Sequence, residues 1–286
     1  MGWVKIERPR NLVGSGSFRL RGIMQLKHSY RRLGRVTLGL GIIACSILGA
    51  RLTPLGEAFL AQSLTLSVND GRPVAAAMEI LEGRHGTVIT YEDPPYVHET
   101  EIVDHTIPAY KQANPFGRRA LSPKGGSLEI TYQMSPGPVR SDEMRHVIQR
   151  ILDAHAERNN PGRFRLQQEG EMFHVIPAQY RDSSGRLVNV GSILDTPISF
   201  PEQERSVIDT LELIKNAVSK ATGIKIIFGT VPLNLLHRSS SRQGATNEKA
   251  RDALAKALKA TNTKLSWWIF YAPGWKMYTL NVHWVR

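Results

Sequence analysis

The stretch NEKARDALAKALKATN, Asn247 to Asn262, runs almost directly into KLSWWIFY, Lys264 to Tyr271, and from there into WKMYTLNVHWV, Trp275 to Val285. In the first part Ala250, Ala253, Leu254, Ala257 and Leu258 recur at i, i+3, i+4, i+7 and i+8, which places one apolar stripe along a helix. Thr246 or Asn247 is read as the cap of that helix, with Glu248 at its positive end and Lys256 and Lys259 at its negative end. The two aromatic and β-branched runs that follow, parted by Ala272-Pro273-Gly274, predict a β-hairpin. A helix feeding a hairpin sets the class of the chain as α+β.

Working backwards, the chain repeats this arrangement. LTLSV, a helix opened by Pro73 and marked by Val74, Ala77, Met78 and Leu81, and TVITY form strand, helix, strand, with Gly83 or Gly86 to end the helix. Glu92 to Lys124 holds Pro94, Pro95, Pro108, Pro115 and Pro123 and reads as a long polar loop. Then come the strand SLEITYQM, a helix opened by Ser141 with Val147, Ile148, Ile151, Leu152 and His155 on its buried side, and the hairpin RFRLQQ and EMFHVIPAQY. A second round runs through the strand ISF, a helix carried by Val207, Leu211, Ile214 and Val218 up to Gly223, the strand IKIIFG, and a polar strand or loop LHRSSSRQGA before the stretch quoted first. The sequence thus predicts two tandem β-α-β-β-α-β-β modules, the first carrying the proline-rich loop insertion. Residues 62–180 make the first, 181–196 a linker, and 197–286 the second.

The net charge of +12 is unevenly spread. Residues 1–61 hold ten Lys or Arg against two acids, a surplus of eight, so the remaining chain carries a surplus of four. That is too mild for a phosphate-binding face, and no nucleic-acid partner is expected. The N-terminal basicity flanks a charge-free run, VTLGLGIIACSILGA from Val36 to Ala50. Basic residues before a short apolar run are the arrangement of a signal peptide, and continuation through residue 60 also allows a membrane anchor of the length a span needs, about 20 residues. Ile42-Ile43-Ala44-Cys45 resembles a lipobox, which would make Cys45 a lipidation site; the alternative is a small apolar residue within the run. Ala61-Gln62 reads as a signal-peptidase junction, and Met24 as the possible true start. Cys45 is the single cysteine, so neither an intrachain disulfide nor a cysteine-based zinc site is available.

The phrases Ala221-Thr222-Gly223-Ile224-Lys225-Ile226-Ile227 and Ala250 to Asn262 resemble those of the short domain at the N-terminus of secretins and of TonB-dependent signalling receptors, the STN domain. In that family two helices pack against small sheets. The resemblance covers about 85 residues of the second module well and the first module loosely. The family domain usually precedes a barrel, plug or secretin core; none is expected here, so the resemblance implies only the small domain's own role. The expectation is a non-enzymatic bacterial envelope protein, periplasmic and either cleaved or anchored through residues 36–60, that acts by contact with an envelope protein partner.

No catalytic constellation, cofactor, metal site or small-molecule ligand is predicted. His98-Glu99-Thr100-Glu101-Ile102-Val103-Asp104-His105 contains metal-ligand types, but position 102 is Ile where a His-Glu-x-x-His helix needs His, so a solvated loop is the expectation. His174 and His283 fall in the closing strands of the two modules. The rival function is an envelope hydrolase with a site under the loop 92–124. In the last hairpin, Leu265, Trp267 and Ile269 share one face with Tyr278, Leu280, Val282 and Trp284 across from them. Trp268 and Phe270 then point the other way and, with Trp275, form the candidate partner-binding surface unless the rest of the chain covers them.

Overall fold

The computed structural model describes residues 62–286; the basic tail, the apolar run, Cys45 and Met24 lie outside the described residues. The first half comprises β1 (Gln62–Asp70), α1 (Pro73–His85), β2 (Ile89–Glu92), β3 (Ile102–Asp104), α2 (Pro108–Ala113), β4 (Leu121–Pro123), β5 (Gly126–Met134), α3 (Ser141–Glu157), β6 (Arg163–Glu169) and β7 (Met172–Arg181). After β8 (Leu187–Asn189) the second half follows with β9 (Pro197–Ser206), α4 (Val207–Thr222), β10 (Ile226–Phe228), α5 (Leu233–Arg238), β11 (Ser240–Lys249), α6 (Ala250–Lys259), β12 (Leu265–Ala272) and β13 (Met277–Trp284). The fold is α+β with mixed sheets.

Both halves pair their strands in the same way. In the first, β1 and β5 form a two-stranded antiparallel sheet, β2 runs parallel to β7, and β7 turns back onto β6. In the second, β9 and β11 form the antiparallel pair, β10 runs parallel to β13, and β13 pairs with β12. The helices α1 and α3 touch each other and strands of both first-half sheets, and α4 lies likewise between β9, β11 and β10 while packing on α6.

The two halves then share one sheet, because β12 lies parallel to β2, with Trp268 opposite Tyr91. The resulting order is β10-β13-β12-β2-β7-β6, with β8 added to β7. Side-chain alternation along β12 fixes which layer covers which face. Leu265, Trp267, Ile269 and Tyr271 enter the second-half core, whereas Trp268 and Phe270 reach the first-half core beside Tyr91. On β2, Ile89 and Tyr91 face α1 and α3, while Glu92 meets Arg251 of α6. The two helical layers therefore cover opposite faces of a common sheet.

Local chemistry explains most element ends. Pro73 opens α1 where no helical N–H is needed, and α1 and α4 end at Gly86 and Gly223, whose left-handed backbone (φ 62° and 71°) a side chain would strain. Ser206 accepts from the Asp209 N–H and caps α4.

Several expectations are corrected. The helix after residue 246 is not capped by Thr246 or Asn247: β11 continues to Lys249, bulges between Ala245 and Glu248, and places Asn247 at φ 50° with its N–H on Ser199 Oγ. Glu248 does not serve the helix dipole and instead pairs with Lys256 at 2.5 Å. ISF is only the start of the ten-residue β9, and LHRSSSRQGA ends α5 and begins β11; their polar pairing hides the strand pattern. Residues 92–124 are more than a loop, since β3 and β4 form a small sheet outside the main one, where Pro123 removes no ladder bond that the core needs. The linker likewise contributes β8. Among the described residues no helix is long and apolar enough to cross a membrane.

A fragment of residues 197–286 would leave both the β12 edge and the Trp268–Phe270 face uncovered. Such a fragment is expected to self-associate by analytical ultracentrifugation, and Trp268→Ser/Phe270→Ser to reduce the association.

Candidate functional site

The middle strand ends in two neighbouring acids, Glu92 and Asp93, both buried. Successive strand residues point to opposite faces, so each acid is met by the layer on its own side. Arg251, in the first turn of α6 and only 1% exposed, donates from Nε (3.1 Å) and Nη2 (2.8 Å) to Glu92 Oε1. Its Nη1 reaches Asp195 at 2.5 Å, and Ser192 closes the ring by donating to Glu92 Oε2 while accepting from Arg251 Nη2 at 2.7 Å. On the other face Arg72, which immediately precedes α1, donates from Nε to Asp93 Oδ2 at 2.6 Å. Tyr91 and Tyr96 hydroxyls donate to Asp93 Oδ1, and the Tyr271 N–H donates to Oδ2 at 2.8 Å. Burial pushes both carboxyls above the ordinary carboxylate range, against the opposing pull of Arg251 on Glu92 and Arg72 on Asp93. Burial works against the charge of the two arginines too, but their carboxylate partners outweigh it and raise both.

Beside this junction lies a cleft of about 380 Å³. Pro95, Ser192 and Ile224 line it together with Tyr271, Tyr278 and Lys276. The two tyrosine rings meet edge to edge-face at 5.1 Å, and burial raises both phenols, so they remain protonated donors. A second hollow, of about 250 Å³, lies between β5 and α3, where Asp142 is held by Arg140 and Glu143 by Ser135.

The residues singled out from the sequence fall in different places. Trp268 and Phe270 are half-buried: Trp268 meets His283 edge-to-face at 4.5 Å, and Arg72 covers Phe270 at 4.7 Å. Trp275 is 56% exposed in the hairpin turn, with the Arg118 guanidinium 4.1 Å above it. Trp284, expected on the core face of β13, is exposed at the strand's end. In the insertion, His98 bonds Thr100, Glu101 is buried beside Arg181, Asp104 binds Lys111, and His105 bonds Ser122. These groups go to separate partners, and Glu101 departs from the solvated loop expected there. Among the described residues no group of three or more His, Cys, Asp or Glu side chains could hold a metal ion. His283 bonds Glu82 at 2.8 Å, and His174 is buried against Thr90 and Trp267.

Arg251, Glu92, Asp93, Arg72 and Ser192 were not singled out from the sequence. One signal was present: Arg251 stands three and seven residues before Leu254 and Leu258, on the apolar side of its helix.

By fold the chain is a mixed α+β protein with a buried ionic junction at the centre of its shared sheet. No family model, curated protein or solved structure matches it.

Replacing Arg251 by Met strands a buried carboxylate and is expected to cost about 3–5 kcal/mol in denaturant unfolding, whereas the double change Glu92→Leu/Arg251→Met should cost much less than the sum of the two single changes. A second test concerns the buried imidazoles. Burial lowers His155 and His174 to about 4, so the unfolded chain binds protons that the fold refuses as pH falls from 6.5. Their contribution is neutral above pH 6.5 and turns destabilising below it. Between pH 6.5 and 4 the stability of His174→Gln should therefore fall less steeply than that of wild type, by about 1.4 kcal/mol per pH unit.

Proposed function

We propose that this is a non-enzymatic envelope protein, exported and acting in the periplasm by contact with a partner protein, with the cleft beside the ionic junction as the seat for a segment of that partner. The observation that carries the reading is the composition of the cleft. Its walls combine apolar surface with protonated phenols and one ammonium group, while its serine is tied down. Ser192 Oγ is occupied by Glu92, Arg251 Nη2 and the Leu194 N–H, and a guanidinium on that oxygen holds it in place without drawing off its proton. Groups of this kind recognise a chain segment without chemistry on it.

The resemblance of residues 221–227 and 250–262 to the STN domain supports the same reading, together with the packing of two helices against small sheets in each half. The basic and apolar N-terminal sequence supports export or anchoring through residues 36–60. The hydrolase alternative would need the acids and histidines of 92–124 to work together, and their separate bonding speaks against it.

The test is a photo-crosslinking residue at Ile224, on the cleft wall, introduced into cells that make the protein. A defined adduct, reduced about tenfold by Tyr278→Trp, which fills the cleft at a cost in affinity of about 1.4 kcal/mol or more, is the expected result. Absence of any adduct removes the contact reading, and a hydrolytic activity abolished by His105→Ala would favour the enzyme.

A further inference from the structure

The insertion ends in an ordered tip whose composition is unlike the rest of the body. Residues 105–124, HTIPAYKQANPFGRRALSPK, contain Lys111, Arg118, Arg119 and Lys124 and no acid. Within it Ile107 is 65% exposed, Tyr110 41% and Phe116 103%, and α2 buries none of its residues. Trp275 stands next to them. A Cβ on Gly274 would lie 2.3 Å from the Arg119 carbonyl oxygen, so the hairpin turn and the insertion are in backbone contact, and Arg118 stacks on the indole.

The tip is held in shape. His105 N–H donates to Ala120 O at 2.8 Å, Ala120 N–H donates to Thr106 Oγ1 at 2.7 Å, and Asp104 ties down Lys111 at 2.8 Å. Arg118 and Lys124, by contrast, have no carboxylate within ion-pair distance among the described residues, while Arg119 is turned inward and donates from Nη2 to Pro115 O at 3.0 Å. The fold thus spends hydrogen bonds on presenting aromatic and aliphatic side chains to the outside, beside two cations, Arg118 and Lys124, that have no ion-pair partner among the described residues.

We propose that this tip rests on an anionic lipid surface, with Phe116, Tyr110 and Ile107 at the headgroup level and Arg118 and Lys124 on the lipid phosphates. Aromatic side chains favour the interface between headgroups and hydrocarbon, and cations beside them are drawn to negative lipid. A nucleic acid would engage the cations but give Phe116 and Ile107 no apolar phase to enter. The inference leans on the envelope reading only in that a bilayer is at hand. It concerns a surface separate from the cleft.

The experiment uses the full chain with Cys45→Ser and a nitroxide on Ala113→Cys, an exposed position of α2. The labelled protein is studied in phosphatidylcholine vesicles with and without phosphatidylglycerol. With the anionic lipid the nitroxide is expected to collide more with oxygen and less with a water-soluble nickel chelate, and to lose this pattern in phosphatidylcholine alone. Arg118→Gln and Lys124→Gln should each lower the immersed population about fivefold, and Phe116→Ser should abolish it without changing the thermal midpoint. A nitroxide equally open to the nickel chelate in both vesicles overturns the proposal. So does immobilisation by polyglutamate with no oxygen contact in vesicles, which would assign the tip to an acidic protein. Carbonate extraction of the same vesicles reads the N-terminal segment separately, so failure of the anchor and failure of the tip are distinguishable.

Discussion

Two adjacent carboxylates at the end of one short strand are buried in the middle of this protein, and each is matched by an arginine from a different half. A buried carboxylate without a partner would cost several kcal/mol, so Glu92 requires Arg251 and Asp93 requires Arg72. Arg72 and Asp93 both belong to the first half, whereas Glu92 finds Arg251 only when the second-half helical layer is docked on the sheet. The same geometry brings the Tyr271 N–H to Asp93 and the Asp93 N–H to Ile269 O, so β12 is tied to the end of β2 by backbone as well as side chains. The apolar cores give the halves their cohesion; the ionic junction sets how the halves meet.

The cleft and the tip are consequences of that meeting. Ser192 faces the cleft because Glu92 and Arg251 hold it there, and Tyr271 shows its ring to the cleft while its backbone serves Asp93. On the insertion side, the hairpin turn supports the backbone at Arg119, which keeps the tip at the end of the shared sheet.

What the sequence discloses follows from which interactions are local. The stripes of α1, α3, α4 and α6 can be read because apolar residues recur at helical spacing, and the aromatic hairpin because its residues alternate around a turn. β9 and β11 resist reading, since their side chains are mostly polar and their pairing contains bulges that break any period of two. Asn247 was attractive as a cap for the same chemical reason that it suits a left-handed bulge position. The opposite orientation of Trp268 and Trp267 is visible in the alternation. What covers Trp268 is not, because its cover comes from a layer built more than a hundred residues earlier. Arg251 and Glu92 stand 159 positions apart, and nothing in either neighbourhood names the other. Ser192 and Asp195 lie in a stretch that reads as a linker, yet they complete the junction.

The parallel pairing of Trp268 with Tyr91 also has a bearing on how the chain acquires its structure. A strand at residues 89–92 must wait for one at residues 265–272 before its free edge is closed, and loop closure over such a separation is slow. Until then β2 presents unpaired backbone on one side and two acids without their full set of partners. An unpaired edge of this kind is a route to aggregation in a folding chain, and here it stays open until β12 docks.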